Sequence, residues 1–193
     1  MYQEYTEMEI LELFSGYASW SEPFRNGNKV VTLDIDCKFK PVICEDILTW
    51  NYMESGIKPD VIFASPDCTY FSNARVRWGY PADMLEWTRK LWIKTFEIID
   101  YFKPEYYLIE NPVGKARKYF PGSRRIDYCM YGYFMCGKYI KKPTDLWTNI
   151  PMDFRKCDRS HEHHRDFGKV IRGKAKRAVI PEELVNEIYK VVK

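Results

Sequence analysis

Three short apolar runs each stop at a turn and hand over a reactive or small residue there. Ile10-Leu11-Glu12-Leu13-Phe14 runs into Ser15-Gly16, Val61-Ile62-Phe63-Ala64 into Ser65-Pro66-Asp67-Cys68, and Tyr106-Tyr107-Leu108-Ile109 into Glu110-Asn111-Pro112. A β-favouring apolar run bounded by turn formers reads as a buried strand. Further strands are expected at 30–35, as a short strand or turn at 43–47, and at 144–149, with helices at 19–27, 82–102 and 181–192. Pro181-Glu182-Glu183 starts the last helix well, with Pro in its first turn and acids at the positive end of its dipole. Strands alternating with helices predict a doubly wound, Rossmann-like α/β fold: a mostly parallel sheet with helices on both faces. Such sheets bind ligands at the carboxyl ends of their strands. A thiol, a carboxylate and a small-residue loop at three strand ends therefore make a catalytic proposal.

The 193 residues, 46% apolar and 17% aromatic, are expected to form one domain with a substantial core. No apolar stretch is long enough to span a bilayer, and Met1-Tyr2-Gln3-Glu4-Tyr5 lacks the character of a signal peptide. A soluble, intracellular, cytoplasmic protein is expected, with its six cysteines kept as thiols. The net charge of +3 hides an asymmetry: residues 1–114 hold 11 Lys/Arg against 18 Asp/Glu, whereas residues 115–177 hold 17 against 6. Aromatics interleave with that basic, irregular insert, as in Lys118-Tyr119-Phe120. Such a stripe suits a polyanion, most simply nucleic acid; the plainer alternative is a solvated basic face.

In the acidic half, Leu13-Phe14-Ser15-Gly16-Tyr17-Ala18-Ser19-Trp20 turns a first strand towards a first helix through small residues. Gly16 permits a sharp turn and close approach to a ligand. The second strand ends in Asp34-Ile35-Asp36, where an acid can accept hydrogen bonds from ribose hydroxyls. Asp46-Ile47 offers a carboxylate and an apolar contact for an adenine ring. G-x-G-x-x-G is absent, which favours a single adenosine-type ligand over a dinucleotide. A thiol beside a Glu on the neighbouring strand can add covalently to an electrophilic ring carbon while the acid polarises the ring through its nitrogen. That pair suits a pyrimidine.

At this point the sequence resembles the cytosine-C5 DNA methyltransferase family. Leu13-Phe14-Ser15-Gly16 is similar to the family's S-adenosylmethionine loop, and Asp34 and Asp46 fall where its ribose and adenine acids fall. Ser65-Pro66-Asp67-Cys68 resembles its Pro-Pro-Cys turn, and Glu110-Asn111-Pro112 its Glu-Asn-Val. Arg177-Ala178-Val179-Ile180-Pro181 resembles the closing segment that leads into a last helix packed near the cofactor loop. The order holds across nearly the whole chain, closest to short, phage-type relatives carrying Trp-Thr-Asn, here Trp147-Thr148-Asn149. The resemblance implies methyl transfer to C5 of cytosine in DNA, with Cys68 as nucleophile and Glu110 on the N3 edge. It implies S-adenosylmethionine held by Phe14, Ser15, Gly16, Ala18, Ser19, Asp34, Ile35, Asp46, Ile47 and Pro66. Asn111, Arg124, Arg125, Lys141 and Lys142 are the expected substrate contacts. Methylation of RNA or a free nucleotide, or an inactive nucleic-acid-binding relative, are the alternatives.

Three departures stand out. Asp67 replaces the second Pro and sets a carboxylate beside Cys68, which raises a thiol pKa. The family's Gln-x-Arg-x-Arg segment is missing, leaving Lys141 to supply a cation. A large target-recognition region is missing too, which suggests relaxed specificity, a single-stranded substrate or a specificity-providing partner chain. The stretch after Asn149 instead gathers every histidine in Cys157-Asp158-Arg159-Ser160-His161-Glu162-His163-His164. Cys157, His161 and His163 or His164 have zinc-ligand chemistry, with Cys129 or Cys136 available as a fourth ligand. Without a Cys-x-x-Cys pair, a loop whose histidines contact phosphate is the competing reading, and no metal is expected.

Overall fold

The computed structural model describes residues 7–73, 79, 81–135, 137–160, 162–163 and 179–193. A seven-stranded sheet runs in the order β3-β2-β1-β4-β5-β9-β6. Its parallel part comprises β1 (Glu9–Leu13), β2 (Lys29–Asp34), β3 (Ile43–Cys44), β4 (Val61–Ala64) and β5 (Tyr106–Pro112). β9 (Pro143–Thr148) and β6 (Arg124–Asp127) extend it antiparallel at one edge, and β7 (Phe134–Met135) pairs with β8 (Lys138–Tyr139) apart from it. All of Val61–Ala64 is buried, as a central parallel strand covered on both faces requires.

The long helix α1 (Ala82–Phe102) packs Leu91, Trp92, Ile98 and Ile99 with Leu11, Leu13, Ile62 and Ile109 on one face. The terminal helix α3 (Glu182–Val192) packs Leu184, Val185, Ile188 and Val192 with Ile10, Phe63 and Leu108 on the other. A four-residue helix α2 (Ala116–Tyr119) follows β5. No helix among the described residues is long and apolar enough to cross a membrane.

Three expectations need correction. The helix at 19–27 is a series of turns containing one 3-10 turn, Glu22–Phe24. Left-handed backbone at Ala18 just before the segment and at Gly27 at its end, with Pro23 inside it, leaves no uninterrupted helical stretch. Trp20 and Phe24 still reach the core, and Phe24 meets Tyr189 of α3 edge-on, with ring centroids 4.8 Å apart. The insert 115–177 is not wholly irregular, since Arg124–Asp127 forms the sheet's edge strand. Nor are all cysteines thiols, because Cys37 and Cys44 form a disulfide across the turn joining β2 to β3. Asp34 and Cys44 are register partners, so Cys37, just beyond β2, comes within bonding reach.

Candidate active site

The chain passes from β1 outward through β2 and β3, then returns to lay β4 and β5 on the other side of β1. The sheet thus has its switch point between β1 and β4, where an open α/β sheet forms a ligand crevice. Leu13 is level with Leu33 and with Ala64, and Ala64 is level with Ile109. That register brings the 14–19 loop, Asp34, the 65–68 turn and Glu110 to one edge.

The first loop is held by backbone geometry that side chains rarely adopt. Phe14 and Ala18 have φ of 56° and 54°, and Gly16 has 48°. Such conformations cost free energy and persist where the surroundings impose them. Here Ser15 N donates to the Leu33 carbonyl (3.0 Å), Ala18 N to the Ser15 carbonyl (2.7 Å) and Gly16 N to Asp34 Oδ2 (2.8 Å). Below the loop, buried Glu12 accepts from the backbone N–H of Ser21 (2.9 Å) and Trp20 (3.4 Å). Burial pushes its carboxyl up to about 7. Trp20 Nε1 donates to Ser65 Oγ at 3.1 Å, joining this loop to the cysteine turn.

Asp34 also accepts Asp36 N through Oδ1 (2.8 Å), so both its oxygens shape the loop. Each keeps further acceptor capacity for a hydroxyl. Asp46 Oδ1 accepts Leu48 N at 2.9 Å. Ile35 is 66% exposed and Tyr17 61%, which leaves apolar surface beside these acids. Ser15, Ala18 and Pro66 are buried, while Phe14 and Ser19 are partly exposed. Ile47 departs from expectation: it is 3% exposed within the core beside Leu33 and Trp50, so the apolar face available at this edge is Ile35. A Cβ built on Gly16 meets nothing within 4 Å, so the loop has open space on that side. Open space, backbone amides and two carboxylates together fit an adenosine-bearing amino acid such as S-adenosylmethionine.

At the other end of the crevice, Cys68 follows β4 in a loop pinned from two directions. Asn111 Nδ2 donates to the Pro66 carbonyl (2.9 Å), Lys115 N to the Phe71 carbonyl (2.7 Å), and Asn73 Nδ2 to the Val113 carbonyl (3.2 Å). Asn111, an expected substrate contact, is 1% exposed and its amide positions the cysteine turn. Gly114 is required by this contact, because a Cβ there would collide with the Phe71 carbonyl oxygen. Asp67 Oδ1 accepts from the Thr69 amide at 2.7 Å and from its hydroxyl, which engages the carboxylate locally.

Glu110 is 6% exposed and accepts the Tyr128 hydroxyl at 3.2 Å. Lys142 Nζ lies 3.8 Å from the same carboxylate oxygen and 4.5 Å from the Tyr128 ring centroid. Lys142, an expected substrate contact, is 8% exposed and turned to Glu110. The lysine paired with Glu110 is thus Lys142, and no ion pair to Glu110 is made by its half-buried neighbour Lys141. Burial lowers the Lys142 pKa, against the pull of Glu110 and Cys68. Although Cys68 is partly exposed as a residue, its sulfur is desolvated. Burial first, then Glu110, then Asp67 push the thiol up to about 11, and Lys142 opposes them. The neighbouring Asp67 therefore matters less than the burial and the Glu110 that sequence spacing alone does not rank.

Arg124 and Arg125 lie on the edge strand, two strands from Glu110. With Arg117, Ser123 and Lys156 they line an open cavity of about 770 Å³ beside the crevice, not over Cys68. Arg117 is held by a two-pronged ion pair to fully buried Asp145, and Arg125 pairs with Asp127 at 3.1 Å. Of the proposed zinc ligands, Cys129, Cys157 and His163 come together; His161, His164 and Cys136 lie outside the described residues, as do Arg177 and Ala178. Tyr128 and Glu12 carried no motif signal. Gly114 had a faint one, as a glycine two residues beyond Glu-Asn-Pro.

No protein-family model matches the chain. A protein of frog virus 3 (isolate Goorha), described as "Probable DNA (cytosine-5)-methyltransferase", is 33% identical over an alignment of 163 positions, covering 74% of this chain and 71% of the relative. The solved Entamoeba histolytica methyltransferase EhMeth aligns over 82% of this chain and 58% of its own, with TM-score 0.54 at 15% identity. A DNA modification methyltransferase encoded within an E. coli prophage aligns over 74% and 46%, with TM-score 0.49 at 18% identity. The chain spans about half the length of these two solved proteins, and EhMeth bears on the fold alone. Through its identity to the viral relative across most of both sequences, the chain belongs to the DNA (cytosine-5)-methyltransferase family.

Proposed function

We propose that the protein transfers the methyl group of S-adenosylmethionine to C5 of a cytosine in DNA, through covalent addition of Cys68 to the base. The observation that carries this reading is the convergence of Cys68, Glu110 and Lys142 at the carboxyl edge, next to a loop fitted to an adenosine-bearing ligand. The backbone of 14–18 with Asp34, Asp46 and exposed Ile35 would hold the cofactor. When bound, S-adenosylmethionine supplies an electrophilic methyl group.

The target cytosine must leave the base stack to reach Cys68. The thiol loses its proton to solvent, and Sγ bonds to C6 while Glu110 engages the N3 edge. The electron pair that reaches C5 would form the new carbon–carbon bond to the methyl group, while the sulfonium S–CH3 bond breaks and its electrons stay on the sulfur of the departing demethylated cofactor. Loss of the C5 proton then breaks the S–C6 bond and returns the cysteine, for a net release of one proton. Lys142 favours the thiolate and keeps Glu110 in place, whereas Glu110's own charge opposes ionisation. Arg124, Arg125, Arg117 and Lys156 give the DNA backbone a basic flank.

Incubation with isotopically labelled S-adenosylmethionine and single- or double-stranded DNA, followed by nucleoside mass spectrometry, tests the proposal. Labelled 5-methylcytosine that disappears in Cys68→Ala is expected. Label on RNA alone would overturn the substrate, and bound cofactor without label on any nucleic acid would overturn the activity.

A further inference from the structure

Cys129, Cys157 and His163 play no part in the proposed methyl transfer, yet the fold brings Cys129 against two residues of the stretch that follows β9. Cys129 sits at 2% exposure in the 3-10 turn Tyr128–Tyr131. Cys157 lies in the extended segment after β9, and His163 is bridged to Tyr139 of β8. One ligand atom from each lies within 4.8 Å of the others, and Cys157 Sγ is 3.3 Å from His163 Nε2.

We propose that these three residues bind a zinc ion, through two thiolates and one imidazole nitrogen, with water in the fourth position. Zinc takes this mixed sulfur and nitrogen donor set in tetrahedral geometry, whereas calcium and magnesium require oxygen ligands. Contacts around Cys157 suit a metal-bound thiolate. Arg159, at φ 67°, turns its N–H onto Cys157 Sγ at 3.3 Å, where a donor stabilises sulfur's negative charge. Cys157 N is itself fixed by Asp127 Oδ2 at 3.0 Å. Binding replaces two thiol protons, which leave to solvent, by two metal–sulfur bonds.

The site would brace the wall of the crevice. Cys129 directly follows Tyr128, whose hydroxyl donates to Glu110, and Asp127 joins β6 to the Cys157 segment. A metal there ties the basic insert to the sheet edge without touching the reacting groups. The inference does not depend on methyl transfer.

The full-length protein, expressed with zinc supplied and purified under reducing conditions, should carry close to one zinc per chain by elemental mass spectrometry. Exchange with cobalt should produce thiolate-to-cobalt charge transfer and the intense visible bands of a tetrahedral ion. Cys157→Ser and His163→Ala, at partly exposed positions, should each cut metal retention at least tenfold while circular dichroism stays native. Cys129→Ser should do the same, but its burial makes loss of folding an alternative outcome, so the other two variants decide. Zinc-free protein with no cobalt spectrum, or retention unchanged in both deciding variants, would overturn the site. So would a Cys129–Cys157 disulfide found by peptide mapping of protein prepared under the same reducing conditions.

Discussion

Lys142 and Glu110 form an ion pair inside the protein, Nζ to Oε1 at 3.8 Å with each side chain 8% exposed. The separation is longer than a hydrogen bond, so the pair is electrostatic and leaves room for a further group at the carboxylate. Removing one partner strands the other charge in a poorly solvated place. Lys142→Met should therefore destabilise the protein by about 3–5 kcal/mol in denaturant unfolding. The double variant with Glu110→Gln should lose much less than the sum of the singles. Additive losses would show that the pair contributes nothing as a pair.

The thiol gives a second prediction. With its pKa near 11, Cys68 in the free protein is ionised at neutral pH only to the order of one part in ten thousand. Alkylation of Cys68, followed by peptide mass spectrometry, should accelerate roughly tenfold per pH unit from neutral towards the pKa. Glu110→Gln removes a negative charge and should speed alkylation at a fixed pH, while Lys142→Met should slow it. Asp67→Asn should have a smaller effect than Glu110→Gln, matching the order of their influence on the thiol. A rate already at its plateau at pH 7 would contradict this.

How much of this was legible in the sequence differs between strands and side chains. Val61–Ala64 and Tyr106–Ile109 announced themselves because buried parallel strands are continuously apolar, and α1 was bounded by Pro81 and the turn at Lys103. The order of Cys68 and Glu110 at strand ends followed from the same pattern. Lys142 reads as a substrate contact in the sequence because its ion-pair partner lies 32 positions away, and nothing local shows that the residue just before β9 reaches Glu110 on β5. Ile47 was misread because an apolar residue at a strand end suits either a ligand or the core. The 19–27 segment failed through local backbone: Pro23 inside it and left-handed Gly27 at its end leave only the short 3-10 turn Glu22–Phe24.

Glu12 should make stability depend on pH. Its carboxyl titrates near 7 when folded against 4.5 for the exposed group, because burial disfavours the charge. The folded state thus holds its proton more tightly, so this contribution is complete below about 4.5 and is lost as pH rises towards 7. The loss is on the order of 3 kcal/mol. Glu12→Gln should flatten that part of the unfolding profile. An unchanged slope would place the titration elsewhere.

Gly114 tests the pinning of the cysteine loop. A methyl group there must displace the Phe71 carbonyl, which also accepts from Lys115 N. Gly114→Ala should cost about 1–3 kcal/mol and reduce methyl transfer by more than tenfold at saturating cofactor, because Cys68 belongs to the displaced loop. Full activity with native stability would show that the loop position is not needed.

Covalent bonding of Cys68 to the base can be trapped directly. DNA carrying 5-fluorocytosine has no C5 proton to lose, so methyl transfer should leave protein and DNA covalently joined. With S-adenosylmethionine present, the account predicts a denaturation-resistant adduct whose mass equals protein plus methylated DNA and which maps to Cys68. The adduct should be absent in Cys68→Ser and slowed in Glu110→Gln. Cofactor demonstrably bound, with no adduct on single-stranded or duplex DNA, would contradict the account.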